Sequence, residues 1–210
     1  MSSSYSLVIL AAGKGTRMEQ STLKQLMLLR GKPMLLYSLL EAEKINEIKE
    51  IIVLGPQSAL GSIEDTVLRY QIKKEVRFLE GGSSRQESVY LGVKEAKCDQ
   101  VIIHEAARPL VKAKYFEELI SDSSKNTVFG QDIPFTVLYR EGAQVSGNIE
   151  RDRIFNVELP HKYDRGDLLT AHEKAIESGK KYTEDASILF DAGISAKILP
   201  GHPENIKVTY

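Results

Sequence analysis

Leu10-Ala11-Ala12-Gly13-Lys14-Gly15-Thr16-Arg17-Met18 directly continues the apolar run Leu7-Val8-Ile9-Leu10. The run reads as a buried strand of a parallel sheet, and the glycines as a tight strand-to-helix connection. Small residues at such a connection let backbone N–H groups approach a polyphosphate, and Lys14 and Arg17 can add charge-assisted bonds to its oxygens. The spacing is not the dinucleotide fingerprint G-x-G-x-x-G, because Met18 occupies the third glycine position, and it is not a Walker A loop. From these residues alone two readings stay open: a loop that holds a nucleoside triphosphate, or a glycine-rich turn with solvated cations.

Outward from that stretch the chain alternates. Ile51–Leu54, Val76–Leu79 and Val101–Ile103 repeat the short apolar run. Between them lie helical stripes: Leu35, Leu36, Leu39, Leu40 and Ala42 after Pro33; Ser62 to Tyr70 behind the capping box Ser62-Ile63-Glu64-Asp65; and Val89, Tyr90, Val93 and Ala96 behind Ser84-Arg85-Gln86-Glu87. Residues 113–120 form a fourth stripe. Strands alternating with helices in this way predict an α/β fold, with a mainly parallel sheet and helices on both faces. Residues 133–158 are rich in β-formers, with Phe135–Tyr139 strand-like and Glu141–Gln144 turn-like, and they predict a projecting β-arm. A lone hairpin is marginal in water, so the arm predicts a partner surface, a second copy of the chain. Residues 167–178 read as a helix with Leu168, Leu169, Ala171, Ala175 and Ile176 inward; Thr183 reads as an N-cap; Ser195–Leu199 and Asn205–Thr209 read as short strands.

Composition narrows the chemistry. The 210 residues are 42% apolar and 27% charged with a formal net charge of −1, so no global field recruits nucleic acid or a membrane surface, and an anion site must be a local cluster. The single cysteine, Cys98, excludes an intramolecular disulfide framework and a multi-cysteine metal site. The start Met1–Ser6 lacks a signal-peptide pattern and no run reaches transmembrane length, which predicts a cytoplasmic protein. His161, His172 and His202 lack metal-ligand spacing, His104 reads as a packed histidine, Lys73-Lys74 and Lys180-Lys181 as solvated surface, and Asp185 as structural.

At the carboxyl ends of the predicted strands the sequence gathers Gly13, Lys14, Gly15, Arg17 and Lys24, then Gly81, Gly82, Arg85 and Ser88, then Glu105 and Arg108, and finally Lys207. Ligands of open α/β sheets bind at those ends. Many cations with one acid fit a polyphosphate substrate with a magnesium ion, which takes one or two carboxylates and shares phosphate oxygens.

Read in order, LAAGKGTRM, Lys24-Gln25, GGSSRQESVYLGV, HEAARP, TEDAS and NIKVT resemble the motif series of the 2-C-methyl-D-erythritol 4-phosphate cytidylyltransferase family, over residues 7–209. The resemblance implies one Rossmann-like nucleotidyltransferase domain over residues 1–210, a homodimer made through the arm, and Mg²⁺ as cofactor. It implies transfer of a cytidylyl group from CTP to a sugar-alcohol phosphate with release of pyrophosphate, a step of isoprenoid precursor synthesis. Residue by residue it implies Arg17, Lys24 and Lys207 as the catalytic cations at the reacting phosphates. It implies Leu10, Ala11, Ala12, Gly13, Lys14, Gly15, Gly81, Gly82, Arg85 and Ser88 at the nucleotide. It implies Glu105 as metal ligand and, with Arg108, Thr136 and Arg151, on the acceptor side. The family continues past NIKVT with a helix. This chain departs from the pattern at Glu105 for aspartate, Leu23 for proline, Leu159-Pro160-His161 for Thr-Pro-Gln, and Phe135 for an acid. Three of these fall on the acceptor side, which leaves another alditol phosphate such as ribitol 5-phosphate, or a non-catalytic nucleotide-binding homologue, as alternatives.

Overall fold

The computed structural model describes residues 3–12 and 24–209, with Lys24 by its backbone alone. In chain order the first strand, β1 (Tyr5–Leu10), is followed by a 3-10 turn at Lys24–Leu26 and a two-residue ladder, β2 (Leu28–Leu29) with β3 (Lys32–Pro33). Then come α1 (Met34–Glu43), β4 (Ile48–Gly55), α2 (Leu60–Arg69), β5 (Glu75–Glu80), α3 (Arg85–Glu95), β6 (Gln100–Glu105) and α4 (Ala113–Ser121). The second part holds β7 (Thr127–Asp132), the arm hairpin β8 (Leu138–Glu141) and β9 (Gln144–Asn148), β10 (Phe155–Asp164), α5 (Arg165–Glu177), α6 (Asp185–Asp191) and β11 (Lys197–Pro200).

Seven strands form one sheet in the order β11-β7-β10-β6-β1-β4-β5, and only β10 runs antiparallel to its neighbours. Strand residues alternate between the two faces. Leu7 and Ile9 therefore meet α1, α2 and α4, while Val8 meets α3, α5 and α6. With both faces covered, the central strands are apolar throughout: Ile51, Ile52, Val53 and Leu54 are all fully buried. From β1 the order proceeds to β4 and β5 on one side and to β6 on the other. That is a topological switch point, with its crevice beyond the carboxyl ends.

The predicted alternation of strands and helices is present, with several local corrections. The α2 helix starts at Leu60 after a 3-10 turn at Gln57–Ala59, so Ser62 lies inside it, and the Ser62 carbonyl accepts the Thr66 hydroxyl at 2.7 Å. Pro33 is the N-cap of α1 rather than its first turn. The arm is shorter than 133–158: Phe155 to Glu158 already pair with β7 in the main sheet, and Phe135 precedes the hairpin. The turn between Glu141 and Gln144 is where it was expected, with Gly142 at φ +58°. Glu184, not Thr183, caps α6, and residues 205–209 form no strand but a strap tied to the sheet end. Ile176 is exposed, and Lys74 is no free surface cation, because its ammonium donates to the Ile45 and Ile48 carbonyls at 2.8 Å each. Periodicity signals which face is apolar, but not which backbone carbonyl a nearby lysine will reach. No helix among the described residues is long and apolar enough to cross a membrane.

One close approach sets the seat of α3. A Cβ at Gly92 would lie 2.6 Å from Val8 Cγ1 and 2.8 Å from Leu54 Cδ1. Gly92→Val is expected to destabilise the fold by about 1–3 kcal/mol through overpacking. Urea unfolding checks this; an unchanged midpoint would show that α3 can lift without cost.

Candidate active site

The register levels the strand ends. Leu10 pairs with Leu54 on one side and Glu105 on the other, and Leu54 pairs with Leu79. Just beyond, Ala11 N–H donates to the Leu54 carbonyl (2.7 Å), Ala106 N–H to the Leu10 carbonyl (3.1 Å) and Gly81 N–H to the Gly55 carbonyl (2.8 Å). A Cβ on Gly81 would stand 2.5 Å from Ala12 Cβ and 3.2 Å from Ser88 Oγ. The Leu10–Ala12 and Gly81–Gly82 segments therefore form one packed floor, possible only because residue 81 lacks a side chain.

The α3 helix aims the first cation. Ser84 Oγ accepts the Glu87 N–H at 3.1 Å, while the Glu87 carboxylate turns back to accept Ser83 N–H (2.7 Å) and Ser83 Oγ–H (2.6 Å). This is the capping box expected from the sequence, shifted by one residue in its return bond. It places Arg85 at the first helical position. The Arg85 guanidinium lies 2.8 Å from Asp185 Oδ2, 3.2 Å from Glu184 Oε1 and 3.5 Å from Glu105 Oε1. Burial works against the charge of Arg85, but these three acids more than offset it and raise its pKa. Asp185 is fully buried; burial pushes its carboxyl up, and Arg85 with His172 holds it well below the usual range. His172 Nε2 is 3.4 Å from Asp185 Oδ1, and His161 Nδ1 is 3.4 Å from Glu184 Oε1 and 2.9 Å from the Tyr163 hydroxyl.

Glu105 ends β6 at the centre. Its carboxylate lies 2.8 Å from Lys207 Nζ and 3.9 Å from Arg108 Nε, besides Arg85. Burial alone would push this carboxyl up, yet Lys207, Arg85 and Arg108 hold it below the ordinary value. Lys207 arrives on the 201–209 strap, which is fixed at several points. Arg108 Nη1 donates to the Asn205 carbonyl (2.7 Å), Asn205 Nδ2 to the Leu159 carbonyl (2.6 Å) and Val208 N–H to the Ala107 carbonyl (2.8 Å).

The expected residues Leu10, Ala11, Ala12, Gly81, Gly82, Arg85, Ser88, Glu105, Arg108 and Lys207 thus converge on one crevice. Gly13, Lys14, Gly15 and Arg17 lie outside the described residues, as does the Lys24 side chain. Thr136 and Arg151 sit exposed at the arm, where Arg151 Nη1 donates to the Pro134 carbonyl (3.4 Å). Among the described residues no hydrogen bond or ion pair joins either to the crevice. Glu184 and Asp185 were not expected as partners of Arg85. Their signal, two adjacent acids after Thr183, is indistinguishable in sequence from an ordinary helix start. His104 is the packed histidine expected, 3.1 Å from Ser38 Oγ, and burial with the nearby Arg108 charge lowers its pKa to about 3.

Two departures on the acceptor side resolve into other roles. The Leu159 side chain is 2% exposed and joins the apolar cluster of α3, α5 and α6, offering only its carbonyl to the crevice side through Asn205. His161 is fully buried, and Phe135 is 75% exposed on the arm.

A magnesium ion fits this donor set. Glu105 Oε2 is buried and meets Lys207 Nζ at 2.8 Å, which engages one lone pair of a carboxylate oxygen and leaves another for a cation that displaces or joins the ammonium. Among the described residues no group of three or more His, Cys, Asp or Glu could chelate a metal by itself. A single carboxylate completed by phosphate oxygens and water is the ordinary magnesium pattern.

A doubly wound sheet with cations and one carboxylate at its switch point defines the class: an α/β protein built to handle a polyphosphate nucleotide. Comparisons with known proteins narrow it. A protein-family model described as 2-C-methyl-D-erythritol 4-phosphate cytidylyltransferase matches residues 5–210. The enzyme of that name from Bacillus licheniformis is 30% identical over 208 residues, covering 98% of this chain and 90% of the relative. One from Clostridium botulinum is 33% identical over 214 residues, covering 99% and 93%. Among solved structures, the 4-diphosphocytidyl-2C-methyl-D-erythritol synthase of Anaerococcus prevotii superposes with a TM-score of 0.86 at 24% identity, covering 100% of this chain and 92% of the other. The cytidylyltransferase of Francisella tularensis gives 0.80 at 26%, covering 99% and 95%. The chain belongs to the 2-C-methyl-D-erythritol 4-phosphate cytidylyltransferase family.

The depressed Glu105 carboxyl sets a pH signature. A group whose folded pKa lies below its unfolded value stabilises the fold above the unfolded value, and loses that contribution as pH falls through the folded one. Glu105→Gln is therefore expected to be less stable than the native protein at pH 7, with the gap closing below about pH 4.5. Equal urea midpoints at pH 7 would contradict the charge balance described here.

Proposed function

We propose that this chain transfers a cytidylyl group from CTP to 2-C-methyl-D-erythritol 4-phosphate, releasing pyrophosphate. The observation that carries the reading is the meeting of Arg85, Arg108 and Lys207 around Glu105 at the sheet's switch point. In the chemistry, an oxygen of the acceptor phosphate attacks the α-phosphorus of CTP. The bond to the β-phosphate oxygen breaks, and pyrophosphate leaves with that electron pair. The acceptor phosphate has a second pKa of about 6, so it is largely dianionic near neutral pH and needs no general base. Repulsion between two anions is the barrier, and fixed cations lower it by positioning both and stabilising charge in the transition state.

The described residues give Lys207 and Arg85 the reach for this. Both now rest on carboxylates, and phosphate oxygens can replace those partners at little cost in solvation. The three cations Arg85, Arg108 and Lys207 already face the three acids Glu105, Glu184 and Asp185. A bound triphosphate therefore adds excess negative charge. That supports roles for Lys14, Arg17 and Lys24, and for a magnesium ion on Glu105, which would supply electrostatic neutralisation of the phosphates. The core position of Leu159 removes the main reason to expect a different alditol phosphate, and the intact cation set argues against a non-catalytic homologue. The arm exposes Phe135, Leu138, Tyr139 and Val145, which supports a second copy of the chain as its cover and brings Thr136 and Arg151 to the partner's acceptor.

Pyrophosphate release from CTP should require both 2-C-methyl-D-erythritol 4-phosphate and magnesium, and chelation should abolish it. Release with ribitol 5-phosphate alone would overturn the acceptor assignment, and none with either acceptor would overturn the enzyme. Lys207→Ala should lower kcat by about 10²–10³-fold, as does loss of one donor to a charged transition state elsewhere. A native kcat would remove Lys207 from the reaction.

A further inference from the structure

The 201–209 strap reaches the crevice by a route that the reaction itself does not explain. Over the five positions from His202 to its catalytic lysine, Lys207, it has no helix or strand to stiffen it. Discrete contacts must therefore hold Lys207 to the small tolerance that phosphoryl chemistry needs: the Val208 and Asn205 bonds beside it, and a set of contacts upstream of them. His202 gathers the upstream set. Its ring stacks on Tyr115, with centroids 3.7 Å apart and planes 15° from parallel, and receives the edge of Phe129 at 5.1 Å. Its Nε2 lies 2.7 Å from Glu118 Oε2, and its backbone N–H donates to Glu158 Oε2 at 2.9 Å. Tyr115 and Glu118 are three apart in α4, so they share one face, and His202 docks on both at once. The same Tyr115 donates its hydroxyl to Glu204 Oε1 at 2.7 Å, and the His202 carbonyl accepts the Asn205 N–H at 2.8 Å, closing the turn that leads to Lys207.

Glu158, which anchors the histidine backbone, is itself 2% exposed and is held by Gln131 from β7. The imidazole is thus fixed by α4, β7 and β10 together, while the lysine it precedes meets Glu105 at the end of β6. A stacked ring with one directed bond defines position and rotation, which a simple apolar plug would not.

We propose that His202 is a positioning residue for Lys207: the His202–Tyr115–Glu118 clamp sets where the strap delivers the lysine ammonium to the reacting phosphates. The proposal rests on the catalytic reading of Lys207 given above. It separates His202 from a merely stabilising residue, because its effect must pass through one side chain.

A double-mutant cycle tests this in the full-length protein with CTP, magnesium and 2-C-methyl-D-erythritol 4-phosphate. His202→Ala is expected to lower kcat by about 10–100-fold, the scale of an ångström-sized misplacement, and to leave KM for CTP within about twofold. On the Lys207→Ala background the same change should lower kcat by less than about twofold, since the displaced group is already gone. His202→Phe refills the space against Tyr115 and Phe129 without the Glu118 bond, so it keeps the fold and should fall between His202→Ala and native. It carries the same cycle where the alanine variant does not fold. Losses that multiply between positions 202 and 207, or a native kcat in His202→Phe together with His202→Ala, would overturn the clamp. A native kcat in Lys207→Ala would instead overturn the reading of Lys207 on which the clamp depends.

Discussion

A carboxylate held among three cations at the end of the central strands is the constraint on which the rest of this structure depends. Glu105 is 7% exposed, and an isolated charge that deep would shed its ionisation before the fold would tolerate it. Arg85, Arg108 and Lys207 make it tolerable, and each comes from a different part of the chain: the start of α3, the loop after β6, and the C-terminal strap. Folding the site and folding the sheet edge are therefore one event. Removing one partner leaves buried charge uncompensated, which costs far more than the intact pairs contribute.

The same charge balance explains how the crevice can wait for substrate. Arg85 is tethered from behind by Glu184 and Asp185 and from the front by Glu105. Asp185 in turn touches the buried His172, so a layer of titratable groups lies beneath the guanidinium and fixes its direction. Preorganisation of this kind is the main lever available when the reaction needs neither a nucleophile from the protein nor a base. The crevice offers cations held at set positions by acids behind and between them, in keeping with a phosphate attacking a phosphate.

Much of this was legible in the chain before its folding was seen. The four apolar runs and the stripes between them carried the parallel core, because burial on both faces forces continuous hydrophobicity in central strands. Ser84 through Glu87 carried the start of α3, because capping is local chemistry. The arm's turn at Glu141–Gln144 was visible for the same reason. What failed were signals that look alike in different contexts. Ser62 resembled a cap yet lies inside α2, Thr183 resembled one yet yields to Glu184, and residues 205–209 resembled a strand yet are tied by separate bonds such as Val208 N–H to the Ala107 carbonyl rather than by a ladder.

The sequence by itself determined the fold class, the family and most of the residues that meet at the crevice, because strand periodicity, capping and the ordered motifs are properties of contiguous residues. Tertiary structure alone decided which acids hold Arg85, how the strap is clamped through His202, and that Leu159 belongs to the core. Those facts depend on contacts between residues as far apart as Arg85 and Asp185 or Tyr115 and His202. The partner of a buried charge or ring is chosen by packing geometry and desolvation, and neither is written into the spacing of either residue along the chain.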